Sequence, residues 1–137
     1  MMAITLAQYA GIHSTNPDWT LVRTQNAVNL LTVTNSLLDM LVGLGVPMPI
    51  NPHTKSQISG QTLGGFRPQD CCQGAPTSSH KEGQGIDLFD PLEDIDDAIT
   101  DAMLIMFGLY REAPSATKGW CHLTTRAPKS KRRTFLP

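Results

Sequence analysis

The sequence contains no long run of apolar residues, and this absence limits where the chain can reside. A membrane-spanning helix needs about 20 consecutive apolar residues, so we expect none. The first residues lack the basic segment and the apolar core of a signal peptide, so we expect synthesis in a cytoplasm without export by a signal of its own. The net charge of −1 gives no general attraction to nucleic acid or to a membrane, and we expect neither as a partner.

Cysteine is also scarce, with only Cys71, Cys72 and Cys121 in the chain. An odd number of cysteines without a secretory signal argues against a disulfide framework. Cys71 and Cys72 are adjacent, so their Cα atoms stand closer than a relaxed disulfide prefers. No Cys-x-x-Cys pair supports a zinc site built from thiolates. We therefore expect reduced, partly buried thiols.

The length and composition fit one globular domain that spans residues 1–137. Of the 137 residues, 40% are hydrophobic and 17% are charged, which is a composition that folds rather than one that stays disordered. Residues 127–137 form a basic tail, which we expect to be a solvated end. Contact with a polyanion or a virion partner is the alternative reading of its clustered basic residues, Lys129, Lys131, Arg132 and Arg133.

Apolar periodicity predicts a short helix over residues 4–10 and a long one over residues 20–44. The long helix ends where Gly43, Gly45 and Pro47 follow one another closely. Its predicted buried stripe consists of Val22, Ala27, Val28, Leu31, Leu38, Leu41 and Val42.

A second principal helix is predicted after residue 90. Asp90 is placed to cap it, Pro91 fits its first position, and Glu93 completes a capping-box pattern. The predicted inner stripe consists of Leu92, Ile95, Ile99, Ala102, Met103 and Met106. The acidic residues predicted to face solvent are Glu93, Asp94, Asp96, Asp97 and Asp101.

Short strands are predicted over residues 85–89 and 120–125, with one more possible around residues 57–59. Residues 47–77 are rich in Pro, Gly, Ser and Gln, and we interpret them as an ordered loop around a site. Residues 111–119 are predicted to be a loop. The expected fold class is therefore α+β, with two principal helices packed on a small, mostly antiparallel sheet.

The stretch over residues 78–87 carries the first chemical signal. His80 and Asp87 are seven residues apart, which on a helix would separate them by roughly 10 Å along the axis. Two ligands of one zinc ion must each approach to about 2 Å, so a helix would hold them too far apart. Gly83 and Gly85 instead favour a loop that returns as a strand and brings Asp87 beside His80.

An imidazole and a carboxylate need a third protein ligand to make an open zinc site. The candidates are His13, His53 and His122. In a strand, Trp120 and His122 point to the same face, so both can line a cleft. His13 and His53 are better interpreted as ordinary loop residues.

These motifs together resemble the LAS-type zinc peptidases. That family includes D-alanyl-D-alanine carboxypeptidases, D-Ala-D-Ala dipeptidases and phage endolysins, and the small phage-encoded members are the most similar. The pattern is Ser-x-His-x-x-Gly-x-(small)-x-Asp followed by a late Trp-x-His. It is carried by the segments 58–60, 64–68, 74–80, 87 and 119–124, so the resemblance covers residues 58 to about 125.

The resemblance implies a Hedgehog/DD-peptidase-like fold and a Zn²⁺ ion held by His80, Asp87 and His122. It implies that Arg67 polarises the scissile carbonyl or holds the substrate. Ser78 would brace the ligand loop or touch the substrate. The implied activity is hydrolysis of peptide bonds in peptidoglycan stem peptides, of the carboxypeptidase or endopeptidase type. The protein would be encoded by a phage or prophage and made in a host cytoplasm, with incorporation into a virion as an open alternative.

One position departs from the family's pattern. Many of these enzymes place an acidic residue three positions before the last histidine, where it acts as general base; here that position is Gly119. Glu82 and Glu112 are possible substitutes, although the ordinary expectation for each is a solvated surface residue. Without a base, the alternative function is a weak or inactive peptidase-like protein that serves as a virion structural or wall-binding module.

Overall fold

The computed structural model describes residues 3–71 and 78–137, which form an α+β fold. The helices are α1 (Leu6–Ala10), α2 (Leu21–Gly43), α3 (Asp94–Ala98) and α4 (Asp101–Phe107). The strands are β1 (Gly85–Phe89), β2 (Tyr110–Glu112), β3 (Trp120–Thr124) and β4 (Thr134–Phe135). Short 3-10 helices cover Gly11–Thr15, Ser79–Glu82 and Pro114–Ala116. Cys72 and the motif residues 74–77 lie outside the described residues.

The four strands form one mixed sheet in the order β1-β3-β2-β4. β3 pairs antiparallel with both β1 and β2, whereas β4 runs parallel to β2. The expected sheet, small and mostly antiparallel, is therefore confirmed. The predicted strand around residues 57–59 is reduced to an isolated bridge between Ile58 and Leu88.

Two segments that were predicted to lack strands contribute to this sheet. β2 lies at the start of the region 110–119, which was predicted to be a loop from residue 111 onwards. β4 lies inside the basic tail, which was expected to be a solvated end. Ala113 donates its backbone N–H to the Phe135 carbonyl at 2.7 Å, and this bond helps to hold the tail against β2.

Helix α2 forms the centre of the core. The side chain of Thr20 caps its first turn by accepting a hydrogen bond from the Arg23 N–H. The prediction of its buried stripe was wrong at Val22, Val28 and Val42, whose exposed fractions are 70%, 40% and 38%. Its buried residues are Ala27, Leu30, Leu31, Thr34, Leu37, Leu38 and Leu41. On the sheet side, this core meets Ile86, Leu88, Cys121 and Leu123.

The second principal helix is divided into α3 and α4. Ile99 is extended, and the hydroxyl of Thr100 caps a new helix by accepting from the Met103 N–H. A threonine that can cap competes with the continuation of a helix, which explains the break. The predicted inner stripe was wrong at Leu92 and Met106, which are 79% and 63% exposed, and at Ala102, which is also exposed.

The start of α3 also differs from the prediction. Glu93 has a left-handed backbone with φ of 60°, so the helix begins at Asp94 and Pro91 lies outside it. Asp90 nevertheless caps it, because its two carboxylate oxygens accept the N–H groups of Ile95 and Asp96 at 2.9 Å each. Asp96 was predicted to face solvent but is only 2% exposed.

The Asp90→Ala substitution is expected to lower the free energy of unfolding by about 2–6 kcal/mol. The change leaves two buried N–H groups without their partners, and each costs about 1–3 kcal/mol. Denaturant unfolding measures the effect. Asp97→Ala is the matched control, because Asp97 is exposed on the same helix and should cost less than about 1 kcal/mol. Equal losses in the two variants would show that the cap is unimportant.

No helix among the described residues is long and apolar enough to cross a membrane. Of the cysteines within those residues, Cys71 is partly exposed, Cys121 is buried, and both are free thiols.

Candidate metal centre

The antiparallel register of β1 and β3 sets two of the predicted ligands directly opposite each other. Asp87 pairs with His122 across the two strands. Directly opposed residues hold their Cβ atoms about 4.5–5.5 Å apart on one face of the sheet. The residues that flank them along the strands, including Ile86 and Leu123, are buried in the core. The sheet therefore presents Asp87 and His122 on its opposite face.

His80 reaches the same place from the 3-10 helix Ser79–Glu82. Gly83 ends this helix in a left-handed conformation with φ of 72°, and the chain then enters β1. A Cβ at Gly83 would lie 2.5 Å from the Arg23 carbonyl oxygen, so only glycine fits this turn. The predicted return of the loop into a strand is confirmed.

The three side chains form a group that could bind a metal ion. The Nε2 atom of His80 lies 3.2 Å from Oδ1 of Asp87, and the Nδ1 atom of His122 lies 2.8 Å from the same oxygen. One ligand atom from each residue lies within 4.8 Å of the others. His80 and His122 are 3% and 8% exposed, so the group is sheltered from solvent.

Hydrogen bonds fix the orientation of the ligands. Nδ1 of His80 lies 2.8 Å from the Gly65 carbonyl oxygen, which can only accept, so Nδ1 carries the proton and Nε2 is free to coordinate a metal ion. Arg67 donates from Nη2 to Oδ2 of Asp87 at 3.2 Å and from Nε to the Leu63 carbonyl at 2.7 Å. Arg67 thus holds the carboxylate oxygen that does not face the histidines.

The surroundings of His80 and Asp87 shift their pKa values in the directions that suit metal binding. Burial lowers the pKa of His80 below its usual value, which favours the neutral imidazole. Burial alone would raise the pKa of Asp87, but its interactions with His80 and His122, including the hydrogen bond with Nδ1 of His122, hold that pKa well below its usual range. A neutral histidine and an ionised carboxylate are the forms that coordinate metals.

The group opens into a cleft of about 420 Å³. Arg67 and Ser78 line this cleft together with the three ligand residues. Ser78 lies next to His80 in the chain, and its hydroxyl accepts the His80 N–H at 3.3 Å. The structure therefore gathers all five residues singled out from the sequence. His13 and His53 lie elsewhere: His13 contacts the Thr62 carbonyl at 2.9 Å, and His53 is exposed.

Glu112 is the functional candidate that the sequence left undecided. β2 pairs Arg111 with Leu123, and continuing that register by one residue places Glu112 level with His122. Glu112 lines the cleft. The pKa of Glu112 is raised above its usual value, chiefly by burial. The charge of His122 opposes this shift, and the charge of Asp87 adds to it. Glu112 is therefore half-buried at the cleft.

Glu82, the other possible substitute for the missing acid, does not line the cleft. Its carboxylate lies 3.6 Å from the Arg23 guanidinium, and its side chain is 40% exposed. Gly119 lies just before β3 with φ of 91° and, as glycine, offers no group that titrates. Among the described residues that line the cleft, Glu112 is thus the carboxylate outside the three candidate ligands.

No family model, curated protein or solved structure matches this chain. What the chain does must therefore be inferred from its own residues.

Proposed function

We propose that this chain is a zinc-dependent peptidase that hydrolyses peptide bonds in peptidoglycan stem peptides. The observation that carries the proposal is the convergence of two histidines and an aspartate at an open cleft. Arg67 and Glu112 border the same cleft and supply the charged groups that peptide hydrolysis needs. The α+β fold agrees with a DD-peptidase-like architecture, which we include in the proposal.

The donor set fits zinc. Zn²⁺ binds nitrogen and oxygen ligands at about 2.0–2.2 Å in tetrahedral sites, so neighbouring ligand atoms stand about 3.3 Å apart. The distances of 3.2 and 2.8 Å from Oδ1 of Asp87 to the two histidine nitrogens are close to that value. Three protein ligands leave a fourth position for water or substrate, as in catalytic zinc sites.

The roles of the protein residues follow from their places around the ligands. When bound, zinc would act as a Lewis acid on the scissile carbonyl and make a water molecule more acidic. Glu112 accepts the proton of the attacking water and passes it to the leaving amine. Arg67 keeps Asp87 oriented, and its guanidinium borders the cleft where negative charge develops on the carbonyl oxygen.

The substrate class rests on the resemblance of the Arg67 turn, the His80–Asp87 segment and the final Trp-x-His to peptidoglycan peptidases. The cleft is compatible with a peptide that carries both charges, because it is lined by Arg67 and Glu112. The resemblance covers both the carboxypeptidase and the endopeptidase type, so an assay must include both a terminal and an internal bond of the stem peptide.

Elemental analysis of protein purified without chelator is expected to find about one zinc per chain. The His80→Ala variant should lose it, because three ligands cannot be reduced to two without a large loss of affinity. His53→Ala is the matched control, since His53 is exposed and lies outside the group. The wild type should release fragments from purified peptidoglycan, and a chelator should stop the release.

Two results would contradict the proposal. Failure to bind zinc when it is supplied would remove the metal site. A protein that binds zinc but leaves peptidoglycan and stem peptides intact would support the metal site and contradict the peptidase activity.

A second candidate function is a peptidase-like virion or wall-binding module that has no turnover. The glycine at position 119, where many of these enzymes carry an acid, favours it. This candidate predicts normal particle assembly or wall binding by a folded His80→Ala variant. The peptidase proposal instead predicts that the variant loses cleavage.

A further inference from the structure

The C-terminal segment forms one wall of the cleft. Ala127, Pro128, Phe135 and Pro137 line it beside the ligand residues. Phe135 lies in β4 and pairs with Glu112 of the parallel strand β2. Side chains in register on neighbouring strands share a face of the sheet. Phe135 therefore continues the row of side chains that runs from Asp87 through His122 and Glu112.

The Phe135 ring contacts a metal ligand directly. The rings of Phe135 and His122 meet edge to face, with centroids 6.5 Å apart and an interplanar angle of 89°. This geometry lies within the range that aromatic pairs prefer. Phe135 is half-buried, whereas its neighbour Leu136 is 74% exposed. The ring thus faces the cleft, whereas the side chain of Leu136 faces solvent.

Several contacts hold β4 in place without the Phe135 ring. Arg111 and Ala113 donate backbone N–H groups to the carbonyls of Arg133 and Phe135 at 2.7 Å each. The Thr134 hydroxyl donates to Asp101 at 2.8 Å. The Arg133 guanidinium lies 4.3 Å from the centre of the Tyr110 ring. Removing the ring should therefore change the surface of the cleft while the strand stays paired.

We infer that Phe135 is a specificity-determining residue, whose ring packs against the aliphatic side chain of the substrate residue next to the scissile bond. The inference rests on the proposed peptidase function. The cleft is lined by charged or polar side chains at Arg67, Ser78 and Glu112, and by a second large aromatic side chain, Trp120. Phe135 is the large apolar surface that touches the His122 ring. A methyl group, such as that of alanine, is the smallest substrate group that gains from this contact.

The test compares two stem-like peptides that carry alanine or glycine next to the scissile bond. The zinc-loaded wild type should prefer the alanine peptide by about 10-fold in kcat/KM, which is the lower end of what one carbon group contributes in an apolar pocket. In Phe135→Ala this ratio should fall to about 1, chiefly through a higher KM for the alanine peptide. Phe135→Leu should restore most of the preference, and Leu136→Ala is the control variant.

If Phe135 had only a structural role, Phe135→Ala would lower kcat/KM for both peptides by the same factor. An unchanged ratio of kcat/KM between the alanine and glycine peptides in Phe135→Ala therefore overturns the inference. The ratio of binding constants for the two peptides, measured by titration calorimetry, gives a second readout that needs no turnover. If the wild type cleaves neither peptide but still prefers alanine in binding, the proposed peptidase fails and the role of Phe135 stands. If the wild type binds neither peptide, both the proposed peptidase function and the role of Phe135 are contradicted.

Discussion

The Glu112→Gln substitution is expected to lower kcat by about 10²–10⁴-fold, because a glutamine cannot accept the proton of the attacking water. Glutamine has nearly the shape of glutamate, so the fold should be retained. Glu112 is not one of the three candidate ligands, so the zinc content should stay at that of the wild type. Steady-state cleavage of a stem peptide, with elemental analysis of the same sample, measures both quantities.

Glu82→Gln is the matched control for this prediction. Glu82 is the other acidic residue that could replace the missing base, but its carboxylate faces Arg23 and does not line the cleft. Its substitution should change kcat by less than twofold. If Glu82→Gln were the inactive variant and Glu112→Gln the active one, the assignment of Glu112 as the general base would be wrong.

The candidate ligands were predictable because their signals are local. His80, two glycines and Asp87 lie within eight residues, and the Trp-x-His sequence places His122 on a definite face of its strand. Glu112 gave no such signal. It lies at the end of a strand of three residues, and only the pairing of that strand with β3 places it beside His122. Such pairing joins distant parts of the chain and leaves no periodic pattern of residues in the sequence.

The errors in the fold have the same origin. Apolar residues continue at helical spacing from Ile95 to Met106, so the sequence favoured one helix, while the Thr100 cap favoured two. The burial of Asp96 depends on partners far along the chain, since Thr117 donates to its carboxylate at 3.3 Å. Strand β4 is too short to predict and is held by its parallel pairing with β2.

The Gly65→Ala substitution is expected to weaken folding and metal binding together. A Cβ at position 65 would lie 2.2 Å from the Tyr9 carbonyl oxygen and 3.0 Å from its carbonyl carbon. Both are backbone atoms at the end of α1, so they cannot move aside cheaply. Tyr9 is held from its other end as well, because its buried hydroxyl donates to the Gly85 carbonyl at 2.7 Å. Overpacking of this kind should cost about 3 kcal/mol in the free energy of unfolding.

The same glycine orients a candidate metal ligand, which couples the two effects. The Gly65 carbonyl accepts the Nδ1 proton of His80, and that bond directs Nε2 towards the metal. Displacing such a partner typically lowers metal affinity by about 10–100-fold. Denaturant unfolding and zinc titration of folded protein measure the two effects separately. Gly43→Ala is the control, because no atom lies within 4 Å of its Cβ, and stability should change by no more than about 1 kcal/mol. A destabilised Gly65→Ala protein with wild-type zinc affinity would mean that the His80 ring keeps its orientation without the Gly65 carbonyl, and that Asp87 and His122 dominate the affinity of the site.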